Sequence, residues 1–331
     1  MPVKPDVFAA VMATGIVSVA AHDHHYWRIS DGLVIVAGTV FVALVVISAV
    51  AAVRLRGFPF GDAGDPDVIV GLFTFVAACA VLGARLESYA FVIWLCTAIA
   101  WVSWSGLTAR LARAMLSRSW LTLRNSAHGA WELASVAASG LTIVTSHLAA
   151  LAGNRGLWWA ALATWLCAIG VYALMTSLIV WRAAVTRSDD AWRPDSWILM
   201  GGLAIGTLAG DRLHLAAEVL DVTQWLTDAV RAVTVVTWVL ASLWIPVLVF
   251  FGLKRINAQV GALLTAGAWW AMVFPLGMYS SATFATSLET GWQPLHTVSL
   301  VVFWVAFVVW VVVAVSALMS LRRVAGTARE P

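Results

Sequence analysis

The sequence predicts an all-α integral membrane protein: ten transmembrane helices, arranged as five helical hairpins in quasi-fivefold order around a central pore. Three observations carry that expectation. Of the 331 residues, 62% are hydrophobic and only 11% charged, with a mean hydropathy of +0.89, whereas a soluble domain carries about 25% charged residues. Basic residues alternate from side to side along the chain. A Pro-Asp pair recurs at a near-constant interval.

Apolar runs long enough to cross hydrocarbon, roughly 20 residues each, fall at about 6–22, 32–53, 67–84, 88–109, 131–150, 156–181, 195–211, 229–253, 261–287 and 295–319. The first, third and seventh are short and must stand nearly upright or face protein rather than lipid. The whole is expected to be one transmembrane domain, 1–331, with no removable signal peptide. Of the 20 Lys and Arg residues, 15 lie on the side of the termini, from Lys4 to Arg329, and 5 lie opposite: Arg28, Arg85, Arg155, Arg212 and Arg231. The positive-inside rule then places both termini in the cytoplasm. It also explains a pI near 9.0 without any nucleic-acid partner. Many of the 20 tryptophans sit at run ends (Trp27, Trp120, Trp131, Trp158, Trp181, Trp197 and Trp292), as interfacial belts require.

Pro5-Asp6, Pro66-Asp67 and Pro194-Asp195 open the first, third and seventh spans, 61 and then 128 residues apart, the second interval being twice 64. A regular period of this size marks an array of one supersecondary unit, here a helical hairpin. Proline is tolerated in a first helical turn, and a carboxylate beside it suits the helix dipole. The odd spans are the richer in Gly, Ser and Thr, while the even ones read as lipid-facing, for example VVFWVAFVVWVVVAV in the tenth. Polar groups in hydrocarbon need a protein or water partner. Five parallel odd helices around one axis, with even helices outside, meet that need.

Within this arrangement the candidates for lining the pore are Phe8, Gly15 and Ser18 in the first span, Gly71 and Thr74 in the third, and Ser139 and Thr142 in the fifth. Gly201 and Ala204 follow in the seventh, and Gly267, Ala271 and Ser281 in the ninth. The ninth span is interrupted by Pro275 and Gly277, where a helix should kink. Its small-sided face carries one bulky ring, Phe274. Close packing of helices through small residues and back-bonding of hydroxyls to their own helix are the competing readings of these positions.

FAAVMATGIVSVA (Phe8 to Ala20), PDSWILMGGLAI (Pro194 to Ile205) and WWAMVFPLGMY (Trp269 to Tyr279) resemble the tellurite-resistance/dicarboxylate transporter family. That family includes bacterial tellurite-resistance proteins, fungal malate and sulfite transporters and the slow-type anion channels of plants. The hairpin pattern extends the resemblance over essentially the whole chain. It implies a homotrimer in which each protomer has its own pore, occluded by a phenylalanine at the place of Phe274. Ala13 stands where relatives often have glycine. Long phosphorylated tails like those of the plant channels, and with them kinase-controlled opening, are not expected.

The expected activity is transport of small organic or inorganic anions across the plasma membrane. C4-dicarboxylates such as malate lead; sulfite or tellurite-related efflux and chloride or nitrate conduction compete. No Arg or Lys is expected deep in an odd span, and Asp211 with Arg212 closes the short seventh span at the outer mouth. His128 and Glu132, four apart, are candidates to pass a proton; an interfacial ion pair is the competing reading. His22, Asp23, His24 and His25 read as a solvated loop rather than a metal site, since adjacent residues cannot all face one ion. No metal or cofactor is expected, and no nucleotide motif is present. A membrane enzyme or a sensor scaffold remains as the alternative of another class. An enzyme, however, calls for clustered intramembrane acids, histidines or cysteines, and here these sit mostly at span ends.

Overall fold

The computed structural model describes residues 3–186, 194–258 and 266–327. Its helices run in the order α1 (Ala9–Asp23), α2 (Trp27–Leu55), α3 (Pro66–Arg85), α4 (Ala90–Leu116), the short α5 (Trp120–Ser126), α6 (Leu133–Ala152), α7 (Arg155–Thr186), α8 (Trp197–Val219), α9 (Gln224–Ala258), α10 (Ala266–Thr290) and α11 (Gln293–Thr327). Short 3-10 turns at Gly129–Glu132 and Pro194–Ser196 lead into α6 and α8. Local chemistry sets several of these ends. Pro66 opens α3 while the Asp65 carboxylate caps the Asp67 N–H, and Gly153 closes α6 at a φ of 61°. These are the N-terminal proline and C-terminal glycine that helix ends favour.

The hairpins are α1–α2, α3–α4, α6–α7, α8–α9 and α10–α11. Their first members close a ring: α1 packs on α3, α3 on α6, α6 on α8, α8 on α10, and α10 back on α1. The second members stand outside. In the apolar window of α3, 78% of residues are buried, and in that of the α6 segment 89%, against 17% to 33% for α2, α4, α7, α9 and α11. The starts of α3, α6 and α8 meet at one end, where His128 lies between Asp67 and Asp195. The far ends of α3 and α6 meet through Glu87 and His147. These inner helices are therefore parallel. Seven helical segments among the described residues are long and apolar enough to cross a membrane. The other three long helices, α1, α8 and α10, all belong to the inner ring, where protein rather than lipid surrounds them.

Two sets of polar contacts hold the ring. Within hairpins, a hydroxyl on the inner helix meets one on the outer: Ser18 with Ser30, Thr142 with Thr164, Thr207 with Thr237 and Ser280 with Ser299, at 3.0 to 3.3 Å. Between hairpins, an outer tryptophan donates its indole N–H to the next inner helix. Trp101 reaches Thr145 Oγ1, Trp165 the Gly206 carbonyl, Trp238 Thr283 Oγ1 and Trp310 Thr14 Oγ1, at 2.8 to 3.1 Å. The last of these closes the circle from α11 to α1. At the seam between α2 and α3, Phe41 stacks on Phe75 instead, at 5.6 Å between ring centres.

The expectation of tryptophan belts is corrected in part. Trp27, Trp120, Trp181 and Trp292 are exposed, but Trp131 and Trp158 are fully buried and donate to Asp67 and to the Leu213 carbonyl. A buried indole N–H needs a partner, and the parallel ring supplies one.

Candidate conduit along the helix ring

A narrow cavity of about 40 Å³ lies on the axis of the ring, and every inner helix contributes to its wall. Its deepest layer is Ile16, Ala80, Gly140, Ile205 and Met278. Four residues earlier on each helix, and so on the same face one turn nearer the N-terminal ends, stand Met12, Val76, Val136, Gly201 and Phe274. All five are buried, Phe274 completely. Phe274 is the largest side chain of this layer. The next residue, Pro275, lies so close to α8 that a Cβ on Gly201 would come within 2.9 Å of its ring; one on Gly277 would come within 2.9 Å of Ile16. Pro275 is inside α10 and cannot donate to the carbonyl of Ala271, so the helix is weakened one turn from Phe274.

The expected lining residues divide. Ser18, at 0% exposure, exchanges hydrogen bonds with Ser30, its hydroxyl donating to the Ser30 carbonyl at 2.7 Å. Thr142 bonds to Ala138 and Thr164, and Thr74 bonds back to Gly71. These hydroxyls do not face the axis, which corrects the expectation of a hydroxyl-lined pore. Helix geometry explains why. Ser18, Thr142, Thr207 and Ser280 each follow an axial residue by two positions, about 200° around the helix, and so turn towards the outer partner.

Phe8 packs edge-on against Phe75 at 5.0 Å and lines a lateral groove between α2 and α4 instead of the axis. Gly15 lies against Val81, and Gly71 against Pro5; both are helix-packing positions. Ser139 and Ala204 are buried in the ring, and Ala271 is partly buried. The surroundings of Gly267 lie outside the described residues, as do residues 261–265 at the start of the ninth span. Ser281 alone among the hydroxyl candidates opens onto a cavity, the wider vestibule described below.

His128 and Glu132 do not pair. Gly129–Glu132 is a 3-10 turn, in which residues three apart, not four, are eclipsed. His128 stands 3.7 Å from Asp67 and 3.9 Å from Asp195. Glu132 is fully buried, accepting from the Thr176 hydroxyl at 2.7 Å, and its second oxygen has no hydrogen-bond partner. The Pro-Asp motif thus supplies both carboxylates around His128, a role its sequence pattern did not suggest.

At its other end the axial cavity meets Glu87, His147 and Arg212, and beyond Arg212 lies a vestibule of about 350 Å³ between α1, α8, α9 and α10. Arg212 was expected at the end of a short span. Instead α8 continues to Val219, which sets Asp211 and Arg212 two turns inside the helix. The apolar residues Leu213, Leu215, Ala216 and Ala217 after the charged pair were the signal for that extension.

The His22–His25 loop is not uniformly solvated, a further correction. His22 and His25 lie against Trp27, and Asp23 enters the vestibule. His24 is buried, with Nε2 at 2.9 Å from the Ser299 hydroxyl.

Five parallel inner helices around a cavity, each with an outer partner, define a multi-pass membrane protein with a cavity on the axis of its helix ring. Comparison with known proteins agrees: the family model described as SLAC1, voltage-dependent anion channel, matches residues 2–318, and the chain belongs to that family. Two relatives are uncharacterized membrane proteins of Mycobacterium tuberculosis, from strains CDC 1551 and H37Rv. Each is 28% identical over 160 residues, covering 47% of this chain and 79% of its own length. The family is one of anion-transporting membrane channels.

Proposed function

We propose that the chain conducts small anions across the plasma membrane along the axis of its five inner helices, with Phe274 as the gate and Pro275 and Gly277 as the hinge. The observation that carries this reading is the axial cavity, whose lining ends one turn short of Phe274, next to a layer of five residues that are all buried. The cavity wall is mostly apolar, so an anion finds no tight site along it, and conduction needs binding weak enough for release. An aromatic ring on a proline-weakened turn moves at small cost, and a hydrophobic constriction opens by rewetting. The excess of basic residues on the side of the termini supports cytoplasmic ends, and with them a cytoplasmic mouth at Asp67, His128 and Asp195. The family resemblance supports a homotrimer with one pore in each protomer.

C4-dicarboxylates such as malate are the first substrates to test, with sulfite and tellurite-related oxyanions beside them. One observation favours a compact monovalent anion such as chloride or nitrate. The cavity is small, about 40 Å³, and among the described residues Arg212 is the one guanidinium on its wall. Flux from purified protein in liposomes, with malate, sulfite, chloride and nitrate in turn, separates these readings. Phe274→Ala should raise the flux of whichever anion passes. Unchanged flux from folded variant removes Phe274 as the gate, and absence of flux for every anion in both forms removes the conduit.

A further inference from the structure

The vestibule at the C-terminal ends of the inner helices has an electrostatic feature that an anion path alone does not require. Arg212 lines both the axial cavity and the vestibule, at their junction with Val19 and Leu208. Three other arginines at this end are engaged. Arg85 holds Asp31 and Ser30, Arg155 the carbonyls of Leu220 and Asp221, and Arg231 the Glu289 side chain and carbonyl. Among the described residues no carboxylate oxygen lies within 4.0 Å of the Arg212 guanidinium. The Ser281 hydroxyl, on a residue 1% exposed, lines the same vestibule; it meets no partner at full hydrogen-bond geometry, and the Asp23 carboxylate lies close enough to draw on it. A hydroxyl held this loosely can donate to an anion that displaces the carboxylate.

Carboxylates ring this junction. On α1, Asp23 lies beside Ser281 and within electrostatic reach of Arg212, Asp211 and Glu87. On α8 itself, Asp211 is in reach of Arg212, His214 and Glu289, and His214 stands 3.6 Å from Glu218. After α3, Glu87 is taken up by His147 of α6 at 3.3 Å, and Glu289 of α10 by Arg231 of α9 at 3.1 Å. With the Arg231–Glu289 pair set aside, one guanidinium faces Asp23 and Asp211, and Glu87 and Glu218 are held by histidines that carry charge only when protonated. With both aspartates ionised the junction repels anions.

Resting on the conduit reading, we propose that Arg212 and Ser281 form a binding site for a compact monovalent anion at this end of the conduit. Asp23 and Asp211 compete with that anion for Arg212, so the anion binds together with a proton. The guanidinium and the Ser281 hydroxyl donate to the anion. A proton from solution moves onto a carboxylate oxygen of Asp211 or Asp23 as the anion arrives, and returns to solution as it leaves. The site is thereby an acid-favoured filter in series with Phe274, at the opposite end of the axial cavity.

Two measurements on the purified full chain test this, with nitrate as the probe. Added to protein in weakly buffered detergent with an indicator dye, nitrate should draw protons from solution for wild type and fewer for Asp211→Asn. In liposomes at equal pH on both sides, nitrate flux should be on the order of tenfold higher at mildly acidic than at neutral pH, as removal of like charge from a mouth produces. Asp211→Asn should show the acidic-level flux at neutral pH, and Arg212→Gln should lose flux at both. Wild-type flux without proton uptake, or an Asp211→Asn variant that keeps the full pH dependence, overturns the proposal. Should Asp211→Asn not fold, Asp23→Asn is read the same way. Flux through Phe274→Ala that is indifferent to pH overturns this site alone; no nitrate flux in any form, Phe274→Ala included, overturns the conduit itself.

Discussion

At the level of single residues, position on the helix decides chemistry more than residue type does. Ser18 and Ser281 are both buried serines on inner helices. The first is consumed by its hairpin partner, while the second opens onto the vestibule. His24, in the loop between α1 and α2, shows the same dependence. Burial, with His296 nearby, pushes its pKa down from 6.5 to about 4, and Nε2 meets the Ser299 hydroxyl. The folded protein thus keeps His24 neutral where the unfolded chain would protonate it. Stability from this group is complete above about pH 6.5 and declines as pH falls towards about 4. Thermal unfolding in detergent should show that decline for wild type and a shallower one for His24→Gln; equal slopes would remove His24 from the account. The cluster His22–His25 was legible in the sequence. That its members face three different surroundings was not, because the direction of each side chain depends on where α2, α10 and α11 pack.

At the level of elements, the hairpin and its repeat were legible: paired apolar runs, Pro-Asp starts and the contrast between small-sided and bulky spans all appear in the chain. What joins one hairpin to the next was not. Trp101, Trp165, Trp238 and Trp310 occupy the middles of outer helices and look like lipid-facing bulk in the sequence, yet each indole pins the following inner helix. The reason is geometric, since the acceptor lies on a neighbouring helix outside the donor's own hairpin. Replacing Trp310 with Phe removes the N–H that bridges the last helix to the first and leaves Thr14 bonded only to Ala10. A loss of about 1 kcal/mol is expected for one such bond, read as a lower unfolding midpoint in detergent. Midpoints equal to wild type would show that ring packing alone holds this seam.

At the level of the whole molecule, closure of the ring separates an axis from a lipid-facing surface. Bulky side chains such as Val42, Val102, Val236, Phe250 and Val312 are exposed on the outer helices, as expected where hydrocarbon or another protomer is the solvent. The proposed homotrimer predicts that native mass spectrometry from mild detergent will find three chains together. A monomer that still conducts would show that each conduit is complete by itself, and a monomer without flux that assembly is needed. The proton-linked site at Arg212 belongs to this scale too, because its groups come from α1, α8 and α10 and meet only when the ring closes.

By itself the sequence determined the fold class, the parallel inner set, the excess of positive charge at one end and the place of Phe274 beside a proline. Each follows from local pattern: hydropathy, the helical period and the side chains next to one another in the chain. Tertiary structure alone decided which face of each inner helix meets the axis, and so turned the expected hydroxyl lining outward and left apolar walls. It also set Arg212 at the junction of two cavities. Those outcomes depend on the rotation of five helices about their own axes, which is fixed by contacts between hairpins that no single stretch of sequence contains.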